Sequence, residues 1–200
     1  MTLEQFKAVW QKAQAAIEAN EKHFSELDAA TGGDGDHGTA IVAAIHAINH
    51  AEGDDFPTLL ADMAEKLEEE ASGSTSSLYG AWFEGMADAA PKGATALDAD
   101  QLADLFQGGF EEICAVTRAR QGDKTMMDAL QPATEALVAA KGEGEAAMFA
   151  AAAKAARAGS DATAQLQAKF GRAKNLGERS IGAIDAGSAS MATVFEAFVG

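Results

Sequence analysis

Asp28, Asp34 and Asp36 crowd three carboxylates into the small-residue segment Asp28-Ala29-Ala30-Thr31-Gly32-Gly33-Asp34-Gly35-Asp36-His37-Gly38. Ionised carboxylates this close repel one another, and they stay charged through hydration, a basic partner, or an oxygen-coordinated hard cation such as Mg2+ or Ca2+. No Lys or Arg lies between Lys22 and Lys66, so the neighbouring sequence offers no basic partner. The glycines let such a loop fold tightly around something small. The chemistry this suggests is a divalent cation and, through it, a phosphate. The same composition also describes a solvated Asp/Gly turn, and spacing alone does not separate the two.

The common nucleotide and cation motifs do not account for the segment. Gly33-Asp34-Gly35-Asp36-His37-Gly38 has the form G-x-G-x-x-G, but Ser25-Glu26-Leu27-Asp28-Ala29-Ala30 is not the apolar strand that must precede a dinucleotide fingerprint. Asp34-Gly35-Asp36 begins like an EF-hand, yet Thr39 stands at the glycine position and Ile45 at the terminal ligand position. Gly122-Asp123-Lys124-Thr125 lacks the spacing and the earlier glycine of a Walker A loop. His23, His46 and His50 show no metal-ligand pattern. Taken singly, Arg172 and the pair Glu178-Arg179 read as helix-end charges, but Gly171, Gly177, Gly182 and Gly187 set them in a flexible loop.

The elements around these residues read as helices. Thr2 and Gln5 form a capping-box pattern before Phe6, Trp10, Ala13 and Ile17, an amphipathic helix that should end before the acidic loop. Helical spacing resumes at Ile41, Ile45 and Ile48, and again at Leu60, Met63 and Leu67. Ser72-Gly73-Ser74-Thr75-Ser76-Ser77 reads as a second loop, leading into a buried helix from Leu78. Asp98 can cap a helix with Leu102, Leu105, Phe106, Phe110 and Ile113 on one face, where Cys114 reads as a core residue. A third loop at 121–125 precedes Met126, Leu130 and Leu137. An alanine-rich run from about 145 to 169 reads as one long helix, a fourth polar loop covers 171–188, and a last helix carries Met191, Val194, Phe195 and Phe198. About eight helices result, and in an antiparallel bundle alternate loops fall at the same end.

Composition agrees with one all-α domain over residues 1–200. Apolar residues make up 48%, much of it alanine, with few β-formers and no linker-like stretch. Fifteen basic and thirty-one acidic side chains give a formal charge of −16, which argues against nucleic acid or an anionic membrane as partner. No run reaches the roughly 18 apolar residues of a membrane span and no signal peptide is evident, so a cytoplasmic location is expected. The single cysteine allows no internal disulfide.

Four ordered segments together resemble the nucleotide-binding (L) subunit, or C-terminal domain, of dihydroxyacetone kinases. They are Gly33-Asp34-Gly35-Asp36-His37-Gly38, the small-residue loop before Leu78-Tyr79-Gly80, Gly122-Asp123-Lys124-Thr125-Met126-Met127-Asp128, and Gly171-Arg172-Ala173 with Leu176-Gly177-Glu178-Arg179-Ser180-Ile181-Gly182. The resemblance implies an eight-helix antiparallel barrel with its site formed by loops at one end. It implies that Asp28, Asp34 and Asp36 hold two Mg2+ ions bridging the phosphates of ADP or ATP. It also implies that His37, Gly38, Thr39, Ser74 and Thr75 approach the phosphates, Met126 lines the adenine pocket, Arg172 contacts the phosphates catalytically, and Asp185 with Gly187 closes the site. In such kinases a separate K subunit or domain holds the hydroxyketone, and the nucleotide is either exchangeable ATP or a resident ADP recharged by a phosphotransferase-system subunit. A homodimer is compatible with the resemblance.

The departures are local. The Asp28 to Asp34 segment is one residue longer than the usual spacing, with Gly32-Gly33 taking up the extra residue. The Ser-Gly-Ser-Thr-Ser-Ser loop has lost glycines common in such kinases, Asn175 stands where an aromatic is common, and Ala183-Ile184-Asp185-Ala186-Gly187 replaces a His-x-Asp-Pro-Gly pattern. The leading expectation is therefore a kinase subunit for dihydroxyacetone or a related short hydroxyketone. Its alternatives are a non-catalytic Mg-nucleotide-binding regulator and an acidic scaffold that binds divalent ions.

Overall fold

The structure, a computed structural model, describes residues 1–199. Among these it contains nine α-helices and no β-strand: α1 (Leu3–Ala19), α2 (Glu21–Ala30), α3 (His37–His50), α4 (Phe56–Glu70), α5 (Gly73–Ala89), α6 (Ala99–Val116), α7 (Met127–Ala139), α8 (Glu145–Ala162) and α9 (Ala186–Ala197). Packing runs α1, α3, α4, α5, α6, α7, α8, α9 and back to α1, a closed ring of eight, while α2 lies across α3 and α9. The expected barrel is present, with one helix more than was expected.

The extra helix comes from Asn20. Its side-chain amide donates to the Ala16 carbonyl and its own N–H to the carbonyls of Ile17 and Glu18, so the side chain competes with the helix ladder and splits the first helix in two. Residues 73–77 are also helical rather than looped. The Ser76 and Ser77 hydroxyls donate to the Gly73 carbonyl, so these residues satisfy backbone groups from inside the first turns of α5. The alanine-rich helix is shorter than expected. It ends at Ala162, where the Thr163 hydroxyl takes the Ser160 carbonyl and the chain leaves through a short 3-10 turn.

The ring is filled by large rings on its inner faces. Trp10 meets Phe83 at 5.1 Å between centroids, and Phe149 stacks on Phe198 at 4.7 Å. Cys114 is half-buried against this core rather than within it. Between α5 and α6 the backbones touch: a Cβ on Gly85 would lie 2.4 Å from the Gly108 carbonyl oxygen. Gly80, on the same helix, has nothing within 4 Å of that position.

The two glycines should therefore respond oppositely to the same substitution. Gly85→Ala is expected to lower stability by about 1–3 kcal/mol through overpacking. Gly80→Ala should raise it by about 0.5–1 kcal/mol through helix propensity. Urea unfolding monitored by circular dichroism measures both.

Candidate functional site

Alternation around the ring brings the starts of α3, α5, α7 and α9 to one end, where they surround a cavity of about 640 Å3. Its wall includes Asp36 and His37, Gly73 to Thr75, Met126 and Met127, and Asp185 to Gly187. The first N–H groups of a helix have no partner within it and carry the positive end of its dipole. At the opposite end α1, α4 and α6 close these groups with full capping boxes, Thr2 with Gln5, Asp55 with Thr58 and Asp98 with Gln101. The cavity-end helices α3 and α5 have no side-chain cap. The first N–H of α7, that of Met127, is met by the Thr125 hydroxyl at 3.2 Å, and α9 is capped by Asp185, which accepts the Ser188 N–H at 2.7 Å. Two uncapped N-termini around one cavity suit an anion with several oxygens.

Asp28 and Asp36 stand on the same wall, with Asp34 beside them outside the lining. Asp28 lies in the last turn of α2, and its Oδ2 accepts the Gly35 N–H at 2.9 Å. A Cβ on Gly33 would sit 2.0 Å from Asp28 Oδ1, so the extra residue is tolerated because it is absorbed by glycine. Oxygens of Asp28, Asp34 and Asp36 lie within 4.8 Å of one another, a donor set that fits a divalent cation. The basic partner missing from the local sequence comes from far along the chain: the Arg172 guanidinium bonds Asp34 and reaches Asp36 Oδ1 at 3.4 Å.

The remaining expected residues divide into two groups. Thr39, Ser74, Thr75, Met126, Asp185 and Gly187 line the cavity with His37 and Arg172. The Thr39 hydroxyl donates to Glu21 Oε1 at 3.1 Å, and His37 Nε2 pairs with the Ser190 hydroxyl at 2.9 Å. Gly38 is outside the lining. A Cβ there would lie 2.1 Å from the Glu21 carbonyl oxygen, so its smallness serves the contact between α2 and α3. Leu78, Tyr79, Met127 and Phe170 join Met126 as apolar lining beside the polar groups.

The family profile of the DAK2 domain matches residues 31–200, a span that includes Asp34, Asp36 and Arg172 and begins just after Asp28. The chain belongs to the DAK2 domain family. It is 34% identical to the ADP-binding subunit DhaL of PEP-dependent dihydroxyacetone kinase 2 from Listeria innocua, over 92% of this chain and 88% of that subunit. It is 33% identical to L-erythrulose 1-kinase of Mycolicibacterium smegmatis over 95% of this chain, which spans only 34% of that enzyme. The crystal structure of the C. freundii dihydroxyacetone kinase in complex with AMP-PNP and Mg2+ superposes with a TM-score of 0.76 at 27% identity, over 96% of this chain and 33% of that one. No helix of this DAK2 domain, among the described residues, is long and apolar enough to cross a membrane.

The wall of this DAK2 domain also holds residues whose roles the motifs did not mark. Lys124, Thr125 and Ser190 line the cavity, and buried Asp128 accepts the N–H groups of Gly122 at 2.6 Å and Thr125 at 2.8 Å, closing the turn before α7. Their signal lay in the Gly122 to Asp128 segment, where a charged turn runs directly into a buried helix. Burial lowers the pKa of His37, partly opposed by the nearby Asp28 charge, which favours a neutral imidazole. Burial pushes the Asp185 carboxyl up to about 7, with the Ser188 N–H and Lys124 opposing and Asp128 adding to the rise.

Two outcomes follow from these charges. A carboxyl raised in the folded state makes that state hold more protons than the unfolded chain, so its contribution to stability falls as pH rises from about 4, the ordinary value, towards 7. Asp185→Asn, which keeps a capping residue, should remove this decline in urea unfolding at pH 5 to 8. Arg172 occupies oxygens that a divalent ion would use, and a partly exposed pair is worth little. Arg172→Gln should therefore tighten Mn2+ binding without nucleotide by about two- to fivefold, read from the free Mn2+ spin-resonance signal.

Proposed function

We propose that this DAK2 domain binds ADP or ATP with Mg2+ in the cavity and donates a phosphoryl group to a short hydroxyketone held on a separate K-type subunit or domain. The observation that carries this reading is the meeting, in one cavity, of two uncapped helix N-termini, those of α3 and α5, with a carboxylate cluster. The first favours the phosphates and the second a divalent counter-ion, a pairing that suits a metal-bound polyphosphate better than either ligand alone. The names of the relatives support it, one as an ADP-binding subunit and one as an erythrulose kinase. Dihydroxyacetone and four-carbon ketoses such as erythrulose are the proposed acceptors.

Asp28, Asp34 and Asp36 are the residues that would hold Mg2+, two ions in this reading. Bound there, Mg2+ supplies charge neutralisation on the transferring phosphate. His37, Thr39, Ser74 and Thr75 sit where α3 and α5 begin and would bind phosphate oxygens, with the helix N–H groups beside them. Met126, with Leu78 and Phe170, would receive the base, and Asp185 and Gly187 would close the cavity at the start of α9. Arg172, released from Asp34 and Asp36 when they take the cation, would turn to the phosphoryl group and stabilise its charge during transfer. The ketose hydroxyl oxygen would form the new bond to phosphorus and give up its proton to solvent or the partner, while the bond from the γ-phosphorus of ATP to its bridging oxygen breaks and ADP leaves.

The PEP-dependent name of the Listeria relative supports a resident ADP recharged by a phosphotransferase-system partner. The AMP-PNP complex of the C. freundii kinase supports use of free ATP. Whether purified protein retains ADP through dialysis separates the two donors.

Titration calorimetry with ATP and ADP, each with and without Mg2+, tests the binding reading, and metal-independent or absent nucleotide binding would overturn it. Asp36→Ala should weaken Mg-nucleotide binding at least about tenfold, or about 1.4 kcal/mol. Phosphoryl transfer is measured with a K-type partner and a panel of short ketoses, and transfer to none of them would leave a nucleotide-binding regulator.

A further inference from the structure

Lys124 is a charged residue of the cavity wall that the phosphoryl-transfer reading does not use. It is only 2% exposed, and its φ of 61° makes it the one non-glycine residue at positive φ among those described. Burying an ammonium and holding a side-chain-bearing residue in the left-handed region both oppose folding. Such a residue persists only where its surroundings over-determine it.

The surroundings here are backbone carbonyls from distant segments. Lys124 Nζ donates to the carbonyl of Thr163 at 2.6 Å and to that of Ala183. Thr163 lies at the end of α8 and Ala183 just before α9, so one ammonium grips both ends of the strap that runs from 163 to 185. The strap carries Phe170 and Arg172 along its length and Asp185 at its end. Neighbouring bonds follow the same plan: Gly182 N–H donates to the Ala164 carbonyl at 2.8 Å and Asp185 N–H to the Thr163 hydroxyl at 2.9 Å. Lys169 ties the middle of the strap to the same loop, through its N–H to the Asp123 carbonyl and its ammonium to Asp123 Oδ1 at 2.8 Å.

We propose that Lys124 is a positioning residue for the nucleotide: its buried ammonium pins both ends of the 163–185 strap to the start of α7, holding Arg172 and Asp185 at a fixed distance from Met126. Resting on the Mg-nucleotide reading of the cavity, it assigns the spacing between the strap and Met126 to one side chain. The charge matters as well as the reach. Asp128 and Asp185 flank Lys124, and a neutral residue would leave those two carboxylates without the cation between them.

Lys124→Met keeps much of the length and removes charge and donors, and Lys124→Gln keeps an amide that can donate to carbonyls. Hydrogen exchange on the nucleotide-free protein should show at least tenfold faster exchange in Lys124→Met across 163–185, with α1 and α3 to α6 protected as in the unmodified protein. Mg-ADP affinity should fall at least tenfold, with Lys124→Gln intermediate in both readouts and serving alone if Lys124→Met does not fold. Unchanged strap exchange overturns the cross-link, and faster strap exchange with unchanged Mg-ADP affinity overturns the positioning role. A uniform rise across all helices marks general loss of stability and also counts against the proposal. Failure of the unmodified protein to bind Mg-ADP overturns the reading of the cavity, while the exchange result still decides whether the cross-link exists.

Discussion

Every helix start leaves N–H groups that must find an acceptor, and a ring of alternating helices gathers half of those starts at each end. The two ends meet this demand differently. On one side three of the four starts carry their own acceptors, with Thr2, Asp55 and Asp98 each answered by a residue three positions on, and only α8, after Gly144, has no side-chain cap. On the other side α3 and α5 begin without a side-chain acceptor, and the space in front of them is the cavity. The rest of the site is arranged about these exposed donors, because any acceptor that satisfies them must come from water or from a ligand.

The carboxylates complicate that picture and also explain it. A protein of formal charge −16 repels a polyphosphate at long range, and placing Asp28, Asp34 and Asp36 beside the donors adds to the repulsion. The arrangement becomes sensible when the anion arrives with a divalent counter-ion, since the cluster then binds the cation and the helix starts bind the anion. Arg172 carries positive charge at the same oxygens. A guanidinium and a divalent ion compete for Asp34 and Asp36, which couples metal binding to the freedom of the strap that bears Arg172.

Features that depend on residues within one turn of each other were readable in the sequence. The Thr2 and Asp98 caps, the inward faces carrying Trp10, Ile45 and Phe106, and the crowding of the three aspartates all follow from spacing of a few positions. The order of four motifs then led to the barrel and to most of the cavity lining, including Arg172, whose partners lie more than a hundred positions earlier and leave no periodic trace. What was misread turned on side chains that bond locally to the backbone. Asn20 split a helix whose apolar spacing runs on to Ile17, and Ser76 and Ser77 turned a loop-like composition into the first turns of α5. Gly38 sat in a motif suggestive of phosphate, yet its neighbour is the Glu21 carbonyl, because a close helix crossing and a close phosphate contact ask for the same missing Cβ.

Lys124 shows why the last part of such a site escapes sequence reading. In isolation Gly122-Asp123-Lys124-Thr125 is a polar turn, and a lysine in a polar turn belongs in solvent. It is buried because its ammonium meets carbonyls 39 and 59 positions away, at the two ends of a strap with no α-helix of its own, only the 3-10 segments Thr163–Gln165 and Arg172–Ser180. A strap of this kind loses much conformational entropy on ordering and offers few apolar side chains in return. Polar cross-links at its ends are therefore the economical way to hold it, and a cation with several donors can serve two carbonyls at once. The same arrangement makes the site sensitive to Lys124, since the strap carrying Arg172 is fixed mainly from its ends and through Asp123.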